Sequence, residues 1–152
     1  MGENVNEIFL YVNERYGYSA LIPLGMAEAV VVIPDNGDGL ILASKDGSAR
    51  FRASGGLAEF VEGGLNGVFA TALKNIGPAL IEASFYSEES ELNQGDKAFC
   101  VLAWRQGDTF YKRKFVIKDG NMFECELSYP VAQEEKYKNA ANAAVVNSGF
   151  VD

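Results

Sequence analysis

The sequence predicts an α+β domain: an antiparallel sheet of about six or more strands with two main helices packed on it. Three observations carry that prediction. A strand-rich opening runs into a helical stripe, four further strands follow on tight turns, and a second helical stretch closes the chain. At 152 residues, with no Pro/Gly/Ser-rich linker, residues 1–152 read as one globular domain.

Glu7 to Val12 and Tyr18 to Ile22 read as strands around a turn at Asn13 to Gly17, and Ala29 to Ile33 is a β-branched run stopped by Pro34. Gly39 to Lys45 and Ser48 to Ser54 flank Asp46-Gly47, a strong hairpin signal. A two-residue turn there pairs Leu42 with Phe51 and Leu40 with Ala53, and sends Arg50 and Arg52 to the other face.

Leu57, Phe60, Val61, Leu65, Val68, Phe69, Ala72, Leu73 and Ile76 recur at three- and four-residue steps and predict the first helix. Gly63, Gly64 and Gly67 each weaken it by roughly 1 kcal/mol against alanine. Gly77-Pro78 ends it. Ala79 to Tyr86, Lys97 to Arg105, Thr109 to Ile117 and Met122 to Tyr129 then predict a sequential meander. Gln106-Gly107-Asp108 and Lys118-Asp119-Gly120-Asn121 supply its tight turns, and the polar segment Glu88 to Asp96 reads as a mobile loop. In the last strand Phe123, Cys125, Leu127 and Tyr129 alternate with Met122, Glu124, Glu126 and Ser128, one face buried and one wet. Phe99 to Trp104 is apolar on both faces, as a central strand would be. The second helix starts after Pro130 and runs to about Asn147. Its stripe is Tyr137, Ala141, Ala144, Val145 and Ser148, after a solvated first turn whose acids suit the helix dipole.

Composition excludes more than it assigns. There is no histidine, which removes the commonest general base, the commonest transition-metal ligand and every His-containing triad. With 13 basic and 21 acidic residues the formal net charge is −8, which counts against a nucleic-acid partner. No apolar run approaches the roughly 18–20 residues that span a bilayer. In the most basic stretch, Arg105 to Lys118, alternate side chains are expected on opposite faces and in solvent, with a phosphate- or headgroup-binding stripe as the alternative. The N-terminus, Met1-Gly2-Glu3-Asn4, has no basic region followed by an apolar one, so no export signal is read in the chain as it stands. Met1-Gly2 is either the native start or one that replaces a removed signal peptide. Asn6 breaks the myristoylation pattern.

Cys100 and Cys125 lack CxxC spacing. In a sequential meander they sit on strands separated by one strand, so their Cα atoms are no closer than roughly 9–10 Å at about 4.8 Å per step. A bridge needs about 7 Å, so both thiols are expected reduced. Asp35-Asn36-Gly37-Asp38-Gly39 fails the calcium-loop spacing in either register. Gly55-Gly56 reads as a helix-entry turn, with no phosphate-loop spacing after it. No serine lies in a GxSxG elbow. Glu82, Glu88, Glu89, Glu91, Asp96, Glu124 and Glu126 are placed on wet faces and in a loop. Phe9, Tyr11, Tyr16 and Tyr18 cluster near the first turn, where core packing is the default and a groove the alternative. The chain is therefore expected to have no catalytic, cofactor-binding or metal-binding residue, to need no cofactor, and not to be an enzyme.

Particular residues also resemble a known group. Tyr11-Val12-Asn13-Glu14-Arg15-Tyr16-Gly17-Tyr18-Ser19 with Ile22-Pro23 resembles its Y-x-N-x-R-[FY]-G-[FY]-S-x-x-x-P opening, and Asn36-Gly37-Asp38-Gly39 with Ser44-Lys45-Asp46-Gly47 its hairpin. Phe110-Tyr111-Lys112, Leu127-Ser128-Tyr129-Pro130, Tyr137 and Ser148-Gly149-Phe150 resemble its closing pattern. The group comprises uncharacterised bacterial extracytoplasmic domains, often behind a signal peptide or lipoprotein anchor. The resemblance implies a PsbP-like α/β/α sandwich and no established catalytic residue. Leu102-Ala103 departs from its usual Ser-Gly, and Gly149 separates a Ser and Phe that are usually adjacent. The expected function is a small binding or accessory module in the periplasm or cell envelope, with the cytoplasm as the alternative. It would be a monomer acting through its surface on an unknown protein or envelope component. The alternatives are an acidic inhibitor or immunity-type protein masking a basic partner, and a carboxylate-only hydrolase.

Overall fold

In a computed structural model of the chain, the structure describes residues 8–23, 29–32, 39–57, 59, 63–88, 97–118 and 120–150. Among the described residues, ten strands and two α-helices follow in the order β1 (Ile8–Asn13), β2 (Tyr18–Pro23), β3 (Ala29–Val32), β4 (Gly39–Ala43), β5 (Arg50–Leu57), α1 (Gly64–Ile76), β6 (Leu80–Glu88), β7 (Lys97–Gln106), β8 (Thr109–Lys118), β9 (Asn121–Pro130), α2 (Glu134–Asn147) and β10 (Gly149–Phe150). Seven strands form one antiparallel sheet in the order β3-β4-β5-β9-β8-β7-β6, and β1-β2-β10 form a smaller one. The α+β class, the two helices and the sequential meander agree with the sequence.

The β4–β5 register is the one the hairpin signal implies, Leu40 opposite Ala53 and Leu42 opposite Phe51. The turn is wider than two residues, because Asp46 organises it. Its carboxylate accepts from Ser44 Oγ at 2.8 Å, Ser48 Oγ at 2.7 Å and the Ser48 amide at 3.0 Å. Those donors, the Ser48 amide foremost, hold the Asp46 carboxyl down to about 2.

Gly55-Gly56 does not turn into the helix. Strand β5 runs on through it, pairing Gly55 with Phe123 and Gly56 with Met122. The reason is steric: a Cβ on Gly55 would lie 2.8 Å from the Tyr18 ring and 2.9 Å from that of Tyr16. Leu57 consequently ends a strand, and the helical stripe begins at Leu65. The chain enters α1 through Gly63 and Gly64, both left-handed at φ 75° and 62°, which glycine adopts without a Cβ penalty. Phe60 and Val61 lie outside the described residues, as do Asp35 to Asp38 and Glu89 to Asp96.

Helix α2 packs on β2, β8 and β9. Tyr137, Ala141, Ala144 and Val145 meet Phe51, Phe123, Cys125, Leu127 and Tyr129 of the large sheet and Tyr18 and Ala20 of the small one. Helix α1 covers the opposite face at one end, where Leu65, Val68 and Phe69 meet Cys100, Phe115, Ile117 and Met122. Strand β7 is apolar on both faces because each of these layers reaches it, but it is second from the edge. The central strand is β9. Cys100 pairs with Phe115 and Cys125 with Lys114. Because those β8 residues are adjacent, the thiols point to opposite faces as well as lying a strand apart. Both are free and buried, and burial raises them to about 11 and about 12.

Candidate functional site

The strand pairing lays three transverse rows of side chains on the α1 side of the large sheet. One row reads Arg50, Ser128, Tyr111, Trp104; the next Arg52, Glu126, Arg113, Leu102; the third Ser54, Glu124, Phe115, Cys100. Helix α1 lies over the apolar end of the third row. The first two rows line open hollows.

Arginine and glutamate interlock across these rows. Arg52 Nη1 lies 3.1 Å from Glu124 Oε1, and Arg52 Nη2 lies 3.7 Å from Glu126 Oε1. Arg113 donates from Nε at 3.0 Å, and also from Nη2, to Glu124 Oε2. Burial pushes the Glu124 carboxyl up, and the charges and hydrogen bonds of Arg113 and Arg52 more than reverse it, so it titrates below the ordinary value. These two arginines and two glutamates sum to zero. Arg50, exposed on the same face, makes no ion pair among the described residues. Among the described residues this face therefore carries one uncompensated cation, in a chain of net charge −8.

Trp104 and Tyr111, opposite one another on β7 and β8, stack at 5.1 Å between centroids and 6° between planes. The stack forms a ridge with a hollow on each side. Ala72, Ile76, Leu102 and Trp104 line one of about 280 Å³ beneath α1. Ile41, Ser48, Arg50, Thr109, Tyr111 and Ser128 line another of about 430 Å³. Glu126 borders both and joins them.

The basic stretch alternates as expected, but its members are not simply solvated. Arg113 joins the ion network, while Lys112 and Lys114 point to the α2 side. Lys112 Nζ donates to Asn142 Oδ1 at 2.8 Å and lies 3.4 Å from Glu82. Lys114, 9% exposed, donates to the Ser148 carbonyl at 2.7 Å and sits 5.4 Å above the Phe99 ring. A cation there meets the negative end of α2, and that is why a basic side chain is buried.

The first-turn aromatics fill core. Tyr18 is fully buried, its ring 4.4 Å from that of Phe123 and 6.1 Å from that of Tyr11. Asn13 donates to the Tyr11 hydroxyl and accepts from the Tyr16 amide, both at 3.0 Å. The Phe9 side chain lies outside the described residues, as do those of Glu88, Glu89, Glu91 and Asp96. Among the described residues no group of three or more His, Cys, Asp or Glu is gathered for a metal.

The paired hollows were not foreseen from sequence. The signal was Arg50-x-Arg52 on one strand and Glu124-x-Glu126 on another, complementary sets on neighbouring strands. Nothing local says that these two strands pair.

No protein-family model matches the chain, and no curated protein matches it. Among solved structures it is similar to a cyanobacterial PsbP (CyanoP) from Synechocystis sp. PCC 6803, solved in solution. The TM-score is 0.62 at 12% identity, over 99% of this chain and 96% of that one. It is also similar to PA94 from Pseudomonas aeruginosa, a protein of unknown function, with a TM-score of 0.44 at 15% identity over 96% and 97% of the two chains. The likeness to the cyanobacterial PsbP makes this antiparallel sheet between α1 and α2, with a small sheet beside α2, a PsbP-like fold.

Proposed function

We propose that this chain is a non-catalytic binding or accessory module that engages a partner through the α1 side of its large sheet. One observation carries the reading. The α2 side is filled by core, whereas the α1 side presents two joined hollows with an aromatic ridge and an uncompensated arginine. Pockets of a few hundred Å³ with a few convergent polar groups are where proteins bind ligands.

The chemistry of the same face supports binding over catalysis. A carboxylate-only hydrolase needs two acids at one cleft with one of them raised, yet of Glu124 and Glu126 only Glu126 borders the hollows. Glu124 is lowered by its arginines. The motif resemblance supports a place in the periplasm or cell envelope, acting on a protein or envelope component there. The net charge of −8 favours one other reading, an acidic inhibitor of a basic partner. That partner would be released by salt from sites away from the hollows.

Affinity capture from an envelope fraction tests the proposal, comparing the wild type with Arg50→Glu/Tyr111→Ala and with Glu14→Lys on the far β1–β2 turn. The expected result is a specific partner lost only with the double variant. A partner retained by the double variant and lost with Glu14→Lys would overturn it.

A further inference from the structure

We infer that the hollow between Arg50 and Tyr111 takes a carboxylate from an acidic segment of a partner protein, with an apolar neighbour of that residue on the Tyr111 ring. The inference rests on the proposed binding face and specifies what occupies it.

The charge count selects the anion. Arg52 and Arg113 are engaged by Glu124 and Glu126, which leaves Arg50 as the guanidinium at the hollow with no ion pair among the described residues. A guanidinium presents parallel N–H donors that match the two oxygens of a carboxylate. Glu126 borders the same hollow. A phosphate dianion would meet that carboxylate, and that of Asp46 behind Ser48, with Arg50 the one unpaired cation beside it among the described residues, whereas a monoanion asks for a single guanidinium. Charge complementarity therefore favours a single carboxylate.

The ring and hydroxyl groups select the rest of the occupant. Tyr111 has one ring face against Trp104, and its side chain lines the hollow that contains Arg50. The outer ring face suits a flat or apolar side chain next to the acid. Thr109 and Ser128 stand around the same hollow and carry hydroxyls able both to donate to and accept from peptide amides, while Ser48, whose proton goes to Asp46, can accept. An acidic residue followed by an aromatic one, in an extended chain, satisfies all three features.

The test is an NMR titration of the ¹⁵N-labelled full chain with the capped dipeptide Ac-Glu-Phe-NH2. Ac-Gln-Phe-NH2, Ac-Lys-Phe-NH2, glucuronate and inorganic phosphate serve as comparison probes. Expected are shifts centred on β5, β8 and β9, with the Gln peptide about tenfold weaker, since a charge-assisted hydrogen bond is lost. Arg50→Gln abolishes the difference between the Glu and Gln peptides, and Arg50→Glu turns the preference to the Lys peptide. Equal affinity for the Glu and Gln peptides, shifts elsewhere, no peptide binding, or tighter binding of phosphate or glucuronate would each overturn the assignment. If capture in the envelope experiment still depends on the double variant, such a result removes the carboxylate and leaves the face standing. If capture does not depend on it, the face falls as well.

Discussion

The two faces of the large sheet are made by the same strands and put to opposite uses. On β9, Phe123, Cys125 and Leu127 look toward α2 and are completely buried, while Glu124, Glu126 and Ser128, one residue along, line the α1 side half-buried. On β5, Phe51 and Ala53 are sealed, and Arg50 and Arg52 are not. The period-2 alternation of a strand thus lets one segment supply both core and binding surface without a loop. The two uses separate only because helix cover is unequal. Among the described residues, the α2 side has α2 and the small sheet over it, and the α1 side has one helix of 13 residues toward one end.

If the α2 side holds the fold, removing its cover is the largest perturbation. A chain truncated at Pro130 exposes Phe123, Cys125, Leu127 and Tyr129 and should show no cooperative thermal transition by circular dichroism. Next is Phe123→Ala, which empties the centre of that core beside Tyr18 and should cost about 3–5 kcal/mol in urea unfolding. Lys114→Met keeps the stem but removes the cation and donor at the end of α2. A loss of about 1–3 kcal/mol is expected, read from the same titration.

The smallest effects should come from the α1 side. Glu124→Gln weakens a partly exposed ion network and should cost about 1 kcal/mol at neutral pH. Its pH dependence sharpens the contrast. The folded Glu124 carboxyl titrates below 4.5, so its contribution is fully present above that unfolded value and is lost as pH falls through the lower folded one. Melting temperature measured against pH should therefore fall less steeply below 4.5 in Glu124→Gln than in the wild type. A variant that falls just as steeply would place the acid sensitivity elsewhere.

What was legible in the sequence follows the range of the interaction that decides it. The β4–β5 register, the meander turns, the α2 stripe and the separation of the cysteines all follow from alternation and turn chemistry a few residues apart. Gly55-Gly56 was misread because the cause of those glycines is the pair Tyr16 and Tyr18, which reach β5 from the small sheet. Lys112 and Lys114 read as solvated because Asn142 and Ser148, which receive them, arrive with α2 some thirty residues later. The candidate site depended on the β5–β9 pairing, about seventy residues apart in the chain. Alternation places a side chain on a face; only the partner strand decides what that face confronts.

Hydroxyl-radical footprinting of the full chain separates a binding α1 side from an α2 side that holds the fold. Side-chain oxidation is read by mass spectrometry with and without the partner captured from the envelope. Trp104 and Tyr111 should be oxidised in the free protein and protected in the complex, and Tyr18 and Phe123 should stay unreactive in both. Unchanged oxidation of Trp104 and Tyr111 in a saturated complex would contradict it.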